Sequence, residues 1–386
     1  MKTERDSVRS PKPPDPGDSE TPSELGFRMP SEWQAHQATW LAWPHNASDW
    51  RGKLEAATWI HTELVRVLSR HETVNMLVDG PKEKARATRL LHRAGVDPSS
   101  VQFVRARTDR SWTRDFLPLF VTRARNHEPD TNGETAQNRI AAVKWRFNGW
   151  ARWPGFGKDH SAGLLVARQL GMRTFQPVSK RGNRTLPVVL EGGAIDVDGE
   201  GTLLATEQCL LTGAHARNPW IGRAGMERAV RDYLGVKKVI WLSAGIDGDD
   251  TTGHVDDFVR FVAPGRVVLC EELNRRDANY SPLQDARRRL SNETDALGRR
   301  LEIVPLPMPK PVFFRGERVP ASYANFYLAN QLVLVPTFND PSDLLALNIF
   351  TDLFAERAVI GIYCRDLVAG GGTIHCSTLQ QPCGQP

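Results

Sequence analysis

The chain has 386 residues, 40% of them hydrophobic, and a formal net charge of +5. This length supports one large hydrophobic core or two moderate ones and argues against a fibrous or coiled-coil protein. No apolar run approaches the roughly 20 residues of a membrane span, and the basic residues are scattered among acidic ones. The sequence therefore predicts neither a membrane protein nor a nucleic-acid-binding one.

The N-terminal segment differs in composition from the rest of the chain. Residues 1–26 are rich in Pro, Ser, Asp, Glu and Lys, which predicts a disordered leader followed by a single domain over residues 27–386. The segment lacks the apolar core of a secretory signal. Five cysteines at irregular spacings favour free thiols in a reducing compartment. We therefore expect a cytoplasmic protein.

Strand-like runs and helix-like segments alternate after the leader. Strands are predicted at VNMLVDG (74–80), VQFVRAR (101–107), AAVKWRF (141–147), VVLEGGAIDV (188–197), VIWL (239–242), HVDDFVRFV (254–262), RVVLCEE (266–272), QLVLVPTF (331–338) and RAVIGIY (357–363). Helices are predicted at 51–71, 81–95, 159–171, 222–234, 282–299 and 341–356. This alternation predicts an α/β protein of several similar units, although no sequence similarity between units is visible.

Two carboxylates stand in unusual sequence positions. Asp115 follows Arg114 in WTRD and precedes a proline-bounded apolar run, which favours a position at a strand edge. Glu191 ends the apolar run LPVVL and comes before two glycines, where a carboxylate is expected to be paired or to face a ligand. An ion pair with an arginine is the structural alternative for Glu191.

A histidine lies within a group of aspartates. His254 and Asp256 are two residues apart in a predicted strand, so their side chains are expected on the same face and could form an acid–base pair. Crowded carboxylates are costly unless a cation is expected among them. The sequence predicts a cation-binding site here. The alternative is a strand end where His254 caps a turn and Asp256 is solvated.

Cys376 is the best candidate for a nucleophile. It follows His375 in GGGTIHCSTLQQ (370–381), where the glycine run permits close approach of the backbone to a ligand. Cys209, Cys270 and Cys364 lie in apolar runs and are predicted to be core residues, while Cys383 is near the C-terminus. Neither metal-ligand spacings nor phosphate-binding loops occur, so we predict no metal and no cofactor.

These segments, in this order, resemble the agmatine deiminase family, which is related to the peptidylarginine deiminases in the guanidine-modifying superfamily. The motifs are MPSEWQAHQATWLAWPHN, SWTRDFLPLFV, KWRFNGW, LEGGAIDVDGEGTLLATEQCLL, GHVDDFVRFV, PASYANFY and GGGTIHCSTLQQP. The resemblance implies a five-fold pseudosymmetric α/β propeller, of the pentein type, built from repeated strand–helix units. It also implies hydrolysis of agmatine to N-carbamoylputrescine and ammonia, a step in putrescine biosynthesis.

The same resemblance assigns roles to individual residues. It maps the nucleophile onto Cys376, the general acid/base onto His254 and its partner onto Asp256. The implied substrate-binding residues are Asp115, Glu191, Trp112 and Asn325, the last without a defined role. A thiolate would attack the guanidinium carbon while carboxylates hold the guanidinium N–H groups.

The choice of substrate stays open at this stage. Phe116 and Leu117 replace a glycine-containing turn that the family has after its W-x-R-D motif, which would place a bulkier loop near the guanidinium site. A peptidylarginine or free-arginine deiminase is therefore an alternative, as is a non-catalytic protein that binds guanidinium or polyamine cations. The expected partner is a small guanidine compound, and a homodimer is left open.

Overall fold

The folded chain begins before Phe27. The structure is a computed structural model that describes residues 20–124 and 139–384. Pro22 is buried, and the Ser23 N–H donates to the Asp232 carbonyl at 3.0 Å. The expected leader boundary at residue 26 is therefore too late, because residues 20–26 already pack on the domain. Residues 1–19 of the expected leader lie outside the described residues.

The described residues form a mixed α/β fold. Its α-helices are α1 (Ala47–Trp50), α2 (Leu54–Leu68), α3 (Pro81–Arg93), α4 (Thr113–Phe116), α5 (Gly157–Gln169), α6 (Glu207–Leu210), α7 (Gly222–Leu234), α8 (Tyr280–Ser291), α9 (Ser342–Leu353) and α10 (Ile374–Ser377). Its strands are β1 (His36–Ala42), β2 (Thr73–Val78), β3 (Val101–Arg105), β4 (Leu119–Thr122), β5 (Ile140–Val143), β6 (Arg173–Phe175), β7 (Val178–Arg181), β8 (Arg184–Pro187), β9 (Ile195–Val197), β10 (Thr202–Thr206), β11 (Lys238–Leu242), β12 (Val259–Ala263), β13 (Arg266–Glu271), β14 (Glu302–Pro307), β15 (Val312–Phe314), β16 (Glu317–Val319), β17 (Tyr327–Ala329), β18 (Leu332–Thr337), β19 (Ala358–Tyr363) and β20 (Leu379–Pro382).

Five of the sheets in the described chain repeat one pattern. Their orders are β20-β1-β2-β3, β4-β5-β6, β9-β10-β11, β12-β13-β14 and β17-β18-β19. In each, the first pair is antiparallel and the second is parallel. A parallel pair needs a crossover, and here α2, α5, α7, α8 and α9 supply it in turn. The expected strand–helix units are thus present, although their sequences show no repeat.

The expected site residues occupy equivalent places in these units. Each lies shortly before the first strand of its sheet: Asp115 before β4, Glu191 before β9, Asp256 before β12, Asn325 before β17 and Cys376 before β20. Several of the short segments that carry them are in contact. Helix α4 contacts both α10 and the turn at Gly192–Ala194, and that turn contacts the turn at Val255–Asp257. Residues far apart in sequence are thereby gathered at one place.

Local structure at these segments differs from the sequence prediction. The predicted strand 254–262 starts only at Val259, because Val255–Asp257 form a 3-10 turn. The predicted strand 188–197 is interrupted by a second 3-10 turn at Gly192–Ala194. Asp115 lies in the short helix α4 instead of at a strand edge. A turn lets consecutive carboxylates and backbone N–H groups face one point, which an alternating strand cannot do.

The helices and the free cysteines of the structure agree better with the sequence predictions. Helix α7 spans residues 222–234 as predicted, and the other predicted helices are present with shorter or shifted ends. All five cysteines are free, and only Cys383 is exposed. Among the described residues, no helix combines the length and apolar character that crossing a membrane requires.

Candidate active site

The thiol of Cys376 lies at the end of a narrow pocket. Helix α10 carries this residue, which is 6% exposed. The Asn325 Nδ2 group donates to its Sγ atom at 3.1 Å. A Cβ atom added to Gly372 would lie 2.9 Å from Sγ, so a side chain there would displace the thiol. Glycine at position 372 therefore lets the backbone lie against the thiol.

His254 is enclosed by three carboxylates. Its Nδ1 atom lies 4.0 Å from Asp115 Oδ1 and 3.8 Å from Asp256 Oδ1, and its Nε2 atom lies 3.9 Å from Glu191 Oε2. Burial alone would lower the pKa of His254, but the Asp115 charge and contacts with Glu191 and Cys209 raise this pKa well above its usual value. The ring is therefore held as an imidazolium that can donate a proton.

Asp256 lies between the ring of His254 and the thiol of Cys376. Its Oδ2 atom is 2.7 Å from His375 Nδ1 and 3.6 Å from Cys376 Sγ. Its Oδ1 atom faces His254 and has no hydrogen-bond partner among the described residues. Burial would raise the pKa of Asp256, but the hydrogen bond and charge of His375 lower it. The sequence prediction that His254 and Asp256 converge is confirmed, through a turn and not through a strand.

Asp115 is fixed by two donors. The indole Nε1 of Trp150 donates to Oδ2 at 2.8 Å, and the backbone N–H of Gly193 donates to Oδ1 at 3.1 Å. Burial raises the pKa of Asp115 to about 6. A Cβ atom at Gly193 would lie 2.6 Å from His254 Nδ1 and 3.0 Å from Asp115 Oδ1, so only glycine fits between them.

Glu191 forms the ion pair with an arginine that its sequence position allows. Its Oε1 atom accepts from Arg217 Nε at 2.9 Å, and both side chains are fully buried. Its Oε2 atom faces His254 and has no hydrogen-bond partner in the described chain. Burial would raise the pKa of Glu191, but Arg217 and His254 lower it. The ion pair therefore keeps an ionised oxygen available to a cation.

Cys376 is a neutral thiol in this environment. Burial raises its pKa well above the usual value, and the carboxylates of Asp256, Asp257 and Asp115 raise it further. A cation that neutralises these carboxylates would favour the thiolate, because an adjacent positive charge stabilises it.

Aromatic and charged residues line the approach to the thiol. The narrow pocket contains Trp112, Trp150, Trp153, Arg110 and Asp250 beside Asp115 and Cys376. It opens into a cavity of about 450 Å³ lined by Asp49, Asp250, Glu317 and the arginines at 51, 110, 152, 315 and 318. Trp112 thus lies in the pocket wall, where its ring packs against Trp50 with centroids 5.5 Å apart and the ring planes tilted by 44°.

Phe116, which the sequence analysis places near the guanidinium site, packs in the core and not in the pocket wall. It is fully buried beside Phe147, with ring centroids 6.4 Å apart, and neither Phe116 nor Leu117 lines the pocket. The bulk of these residues is absorbed by the core. Phe116 is packed in the core directly after Asp115, and the effect of this loop on the guanidinium site stays a prediction.

Several residues of the site were missed by the sequence analysis. Trp150 and Arg217 hold carboxylates, and Asp250 lies at the junction of pocket and cavity. Cys209 was expected in the core, and it is buried. Its Sγ atom also lies within 4.8 Å of a carboxylate oxygen of Glu191 and a ring nitrogen of His254. Asp256, Asp257 and Cys376 form a similar group. Only the cluster of aspartates before His254 could have indicated Asp250.

Comparison with known proteins agrees with this geometry. A sequence model of the Porphyromonas-type peptidyl-arginine deiminase family matches residues 28–382. The agmatine deiminase of Pseudomonas aeruginosa (strain LESB58) is 36% identical over 385 residues, covering 94% of this chain and 97% of that protein.

Structures of two agmatine deiminases superpose on this fold. The Enterococcus faecalis enzyme has a TM-score of 0.83 at 30% identity, covering 95% of this chain and 98% of the other. A C. jejuni enzyme with substrate bound has a TM-score of 0.78 at 25% identity, covering 93% and 97%. The chain belongs to the Porphyromonas-type peptidyl-arginine deiminase family, among whose members it is similar to agmatine deiminases.

Proposed function

We propose that this protein hydrolyses agmatine to N-carbamoylputrescine and ammonia, with Cys376 as the nucleophile. The observation that carries the proposal is the buried ring of carboxylates around one thiol and one imidazolium. Glu191 Oε2 and Asp256 Oδ1 lack hydrogen-bond partners in the described chain, and both are fully buried. Unpaired buried acceptors are costly, and the N–H groups of a planar guanidinium would satisfy them.

The reaction would proceed in two halves. The Cys376 thiolate adds to the guanidinium carbon, and His254 gives its proton to the departing nitrogen, which leaves as ammonia. The product of this half is a thiouronium bound to Cys376. His254, now neutral, takes a proton from water, and the resulting hydroxide attacks the same carbon. The C–S bond then breaks and the hydroxyl proton of the adduct passes to solvent, which releases the neutral ureido product and the thiolate. Agmatine and one water give N-carbamoylputrescine and one ammonia.

Binding of the substrate would itself activate the thiol. In the free protein, burial and three carboxylates keep Cys376 protonated. A bound guanidinium neutralises those carboxylates and brings a positive charge next to Sγ. The Nδ2 group of Asn325 also donates to Sγ, which favours the thiolate further. This donor gives Asn325 a role as a residue that holds the nucleophile.

The far end of agmatine carries an ammonium group, and Asp250 is its proposed partner. The carboxylate of Asp250 lines both the narrow pocket and the outer cavity. It would lie 2.8 Å from a Cβ atom on Gly371, next to the glycine that approaches Cys376. A linear substrate leaving the carboxylate ring therefore passes this group. A carboxylate at this depth favours agmatine over a substrate with an anionic end.

One observation favours free or C-terminal arginine as a second candidate. The cavity contains five arginines, and Arg152 and Arg110 lie beside Asp250 at its narrow end. Arg110 is bound by Asp49 at 2.6 Å, whereas Arg152 donates only to the backbone carbonyl of Asp250, at 3.5 Å. An α-carboxylate could bind such arginines. Dominant turnover of arginine, or of peptides ending in arginine, would select this candidate.

The remaining expectations are part of the same proposal. We infer that the five strand–helix units surround the site as a five-fold α/β propeller; their repeated sheet pattern and the equivalent positions of five site residues support this arrangement. The folded part would be one domain. We also propose that the protein acts in putrescine biosynthesis in the cytoplasm.

The test combines products, a covalent intermediate and a variant. Ammonia and ureido products are measured for agmatine, arginine and an arginyl peptide, and protein quenched during turnover is searched by mass spectrometry for an adduct on the Cys376 peptide. Cys376→Ala should abolish turnover, with Cys383→Ala as a matched control on an exposed thiol. Wild-type turnover by Cys376→Ala would falsify the mechanism. Tight agmatine binding without product would instead identify a non-catalytic binding protein.

A further inference from the structure

His375, the residue before the proposed nucleophile, bridges two buried carboxylates. Its Nδ1 atom lies 2.7 Å from Asp256 Oδ2, and its Nε2 atom lies 2.8 Å from Glu32 Oε2. All three side chains are at most 4% exposed. Each ring nitrogen therefore lies within hydrogen-bond distance of a carboxylate oxygen. The ring is thus fixed at two points.

Glu32 is itself firmly held. Its Oε1 atom accepts from the Leu328 backbone N–H at 2.9 Å, and its Oε2 atom lies 3.0 Å from Arg260 Nη2 and 3.3 Å from Arg114 Nη2. Burial would raise the pKa of Glu32, but Arg260, His375 and Arg114 bring this pKa well below its usual value. Glu32 therefore forms a rigid, ionised anchor for the Nε2 side of the ring.

The chain of contacts ends at the proposed guanidinium site. Because His375 occupies Oδ2 of Asp256, the Oδ1 atom is the one left to face His254 at 3.8 Å. Asp115 lies near Asp256, and negative charge on Asp115 would favour protonation of Asp256 if the bond from His375 were lost. A protonated Asp256 would bind a cation poorly.

We propose that His375 is a positioning residue, which Glu32 anchors and which holds Asp256 ionised and oriented as an acceptor for the guanidinium group. The proposal rests on the proposed function only in that the bound group is a guanidinium or amidinium cation. His375 does not touch the reacting carbon; it acts through Asp256. The charged groups that face its ring and backbone are Glu32, Asp256, Arg114, Arg260 and Asp196.

Two amide substitutions separate the two contacts. The side-chain nitrogen of Asn can take the place of Nδ1, so His375→Asn keeps a donor for Asp256 and loses the contact with Glu32. In His375→Gln the longer side chain can reach Glu32 and loses the donor for Asp256. The backbone stays tethered in both, since the His375 N–H donates to Asn325 Oδ1 at 3.1 Å and its carbonyl accepts from Arg114 Nε at 3.3 Å.

The readout is the charge selectivity of Cys376. Chloroacetamidine carries an amidinium cation and chloroacetamide is its neutral counterpart, and both alkylate a thiol. Alkylation of the Cys376 peptide is followed by mass spectrometry for each reagent. We expect the amidine-to-amide rate ratio to fall at least about tenfold in His375→Gln, as one charge-assisted hydrogen bond implies, and to stay within about threefold of wild type in His375→Asn. Thermal unfolding of each variant accompanies the measurement.

Other outcomes overturn the proposal. An unchanged ratio in both variants, or an equal fall in both, would show that His375 only supports the fold. If His375→Gln does not fold, His375→Ala replaces it, because alanine also removes the donor for Asp256; an unchanged ratio there would overturn the proposal as well. The assay needs no turnover. An enzyme inactive on agmatine with the expected ratios would therefore refute the proposed function and leave the role of His375 standing.

Discussion

Asp250 gives the sharpest test of substrate identity. Its carboxylate lines the junction of the narrow pocket and the outer cavity, where the ammonium end of agmatine would lie. A hydrogen bond between charged groups contributes about 1.5–3 kcal/mol, so Asp250→Asn should lower kcat/KM for agmatine by about 10- to 150-fold. Butylguanidine has the same guanidinium and carbon chain without the ammonium. Its kcat/KM should be unchanged, because it makes no ion pair with Asp250.

The assay follows ammonia release for both compounds at about pH 8, because burial and then Asp249 raise the pKa of Asp250 to about 7 and the carboxylate must be ionised to attract an ammonium. Asp247→Asn is the matched control. It lies in the same loop with a side chain 51% exposed, and its nearest charged partner is Arg318 at 3.7 Å. Equal losses for agmatine and butylguanidine, or no loss for agmatine, would refute the reasoning.

Three further predictions concern the thiol, its pH dependence and the anchor of His375. Asn325→Ala should lower kcat/KM by about 10- to 100-fold because Cys376 loses its hydrogen-bond donor. Asn325→Asp should also move the rise of kcat/KM to higher pH, because a carboxylate disfavours the thiolate. Rates measured across pH test both variants, and an unchanged rate and pH profile would contradict this role for Asn325. Since the raised pKa of Cys376 makes the free thiol ionise only at high pH, kcat/KM should increase with pH, and the rise in kcat should lie at lower pH because bound guanidinium favours the thiolate. Both should decline only well above the usual His254 pKa of about 6.5; coincident rises in kcat and kcat/KM would contradict substrate activation. Glu32→Ala leaves buried Arg114 without its carboxylate and buried Arg260 with Asp196 as its remaining partner. It should destabilise the fold by about 3–5 kcal/mol in denaturant unfolding, a loss that Glu63→Ala, on a partly exposed helix pair, should not reproduce.

Much of the local structure was readable from the sequence. The apolar period of residues 222–234 and the glycine that ends them predicted α7 correctly, and the β-branched run at 266–272 predicted most of β13. The segments that carry chemistry were the ones misread. At Glu191 an apolar run ends in a carboxylate, and at His254 a group of aspartates precedes an apolar run. The chain forms turns at both places because ionised groups must face partners that the local pattern does not reveal.

By itself, the sequence determined which kinds of group are available: a thiol behind a glycine run, a histidine among aspartates, and carboxylates at the ends of apolar runs. The tertiary structure decided which of them meet. Asp115, Glu191, Asp256, Asn325 and Cys376 come from five different strand–helix units. Only packing of the short segments before the first strands sets the pair His254 and Asp256 against the pair His375 and Cys376. Burial there shifts the pKa values of these groups in ways that depend on neighbours remote in sequence. The charge state and orientation of these side chains therefore depend on the tertiary structure, while the sequence decides which functional groups are present.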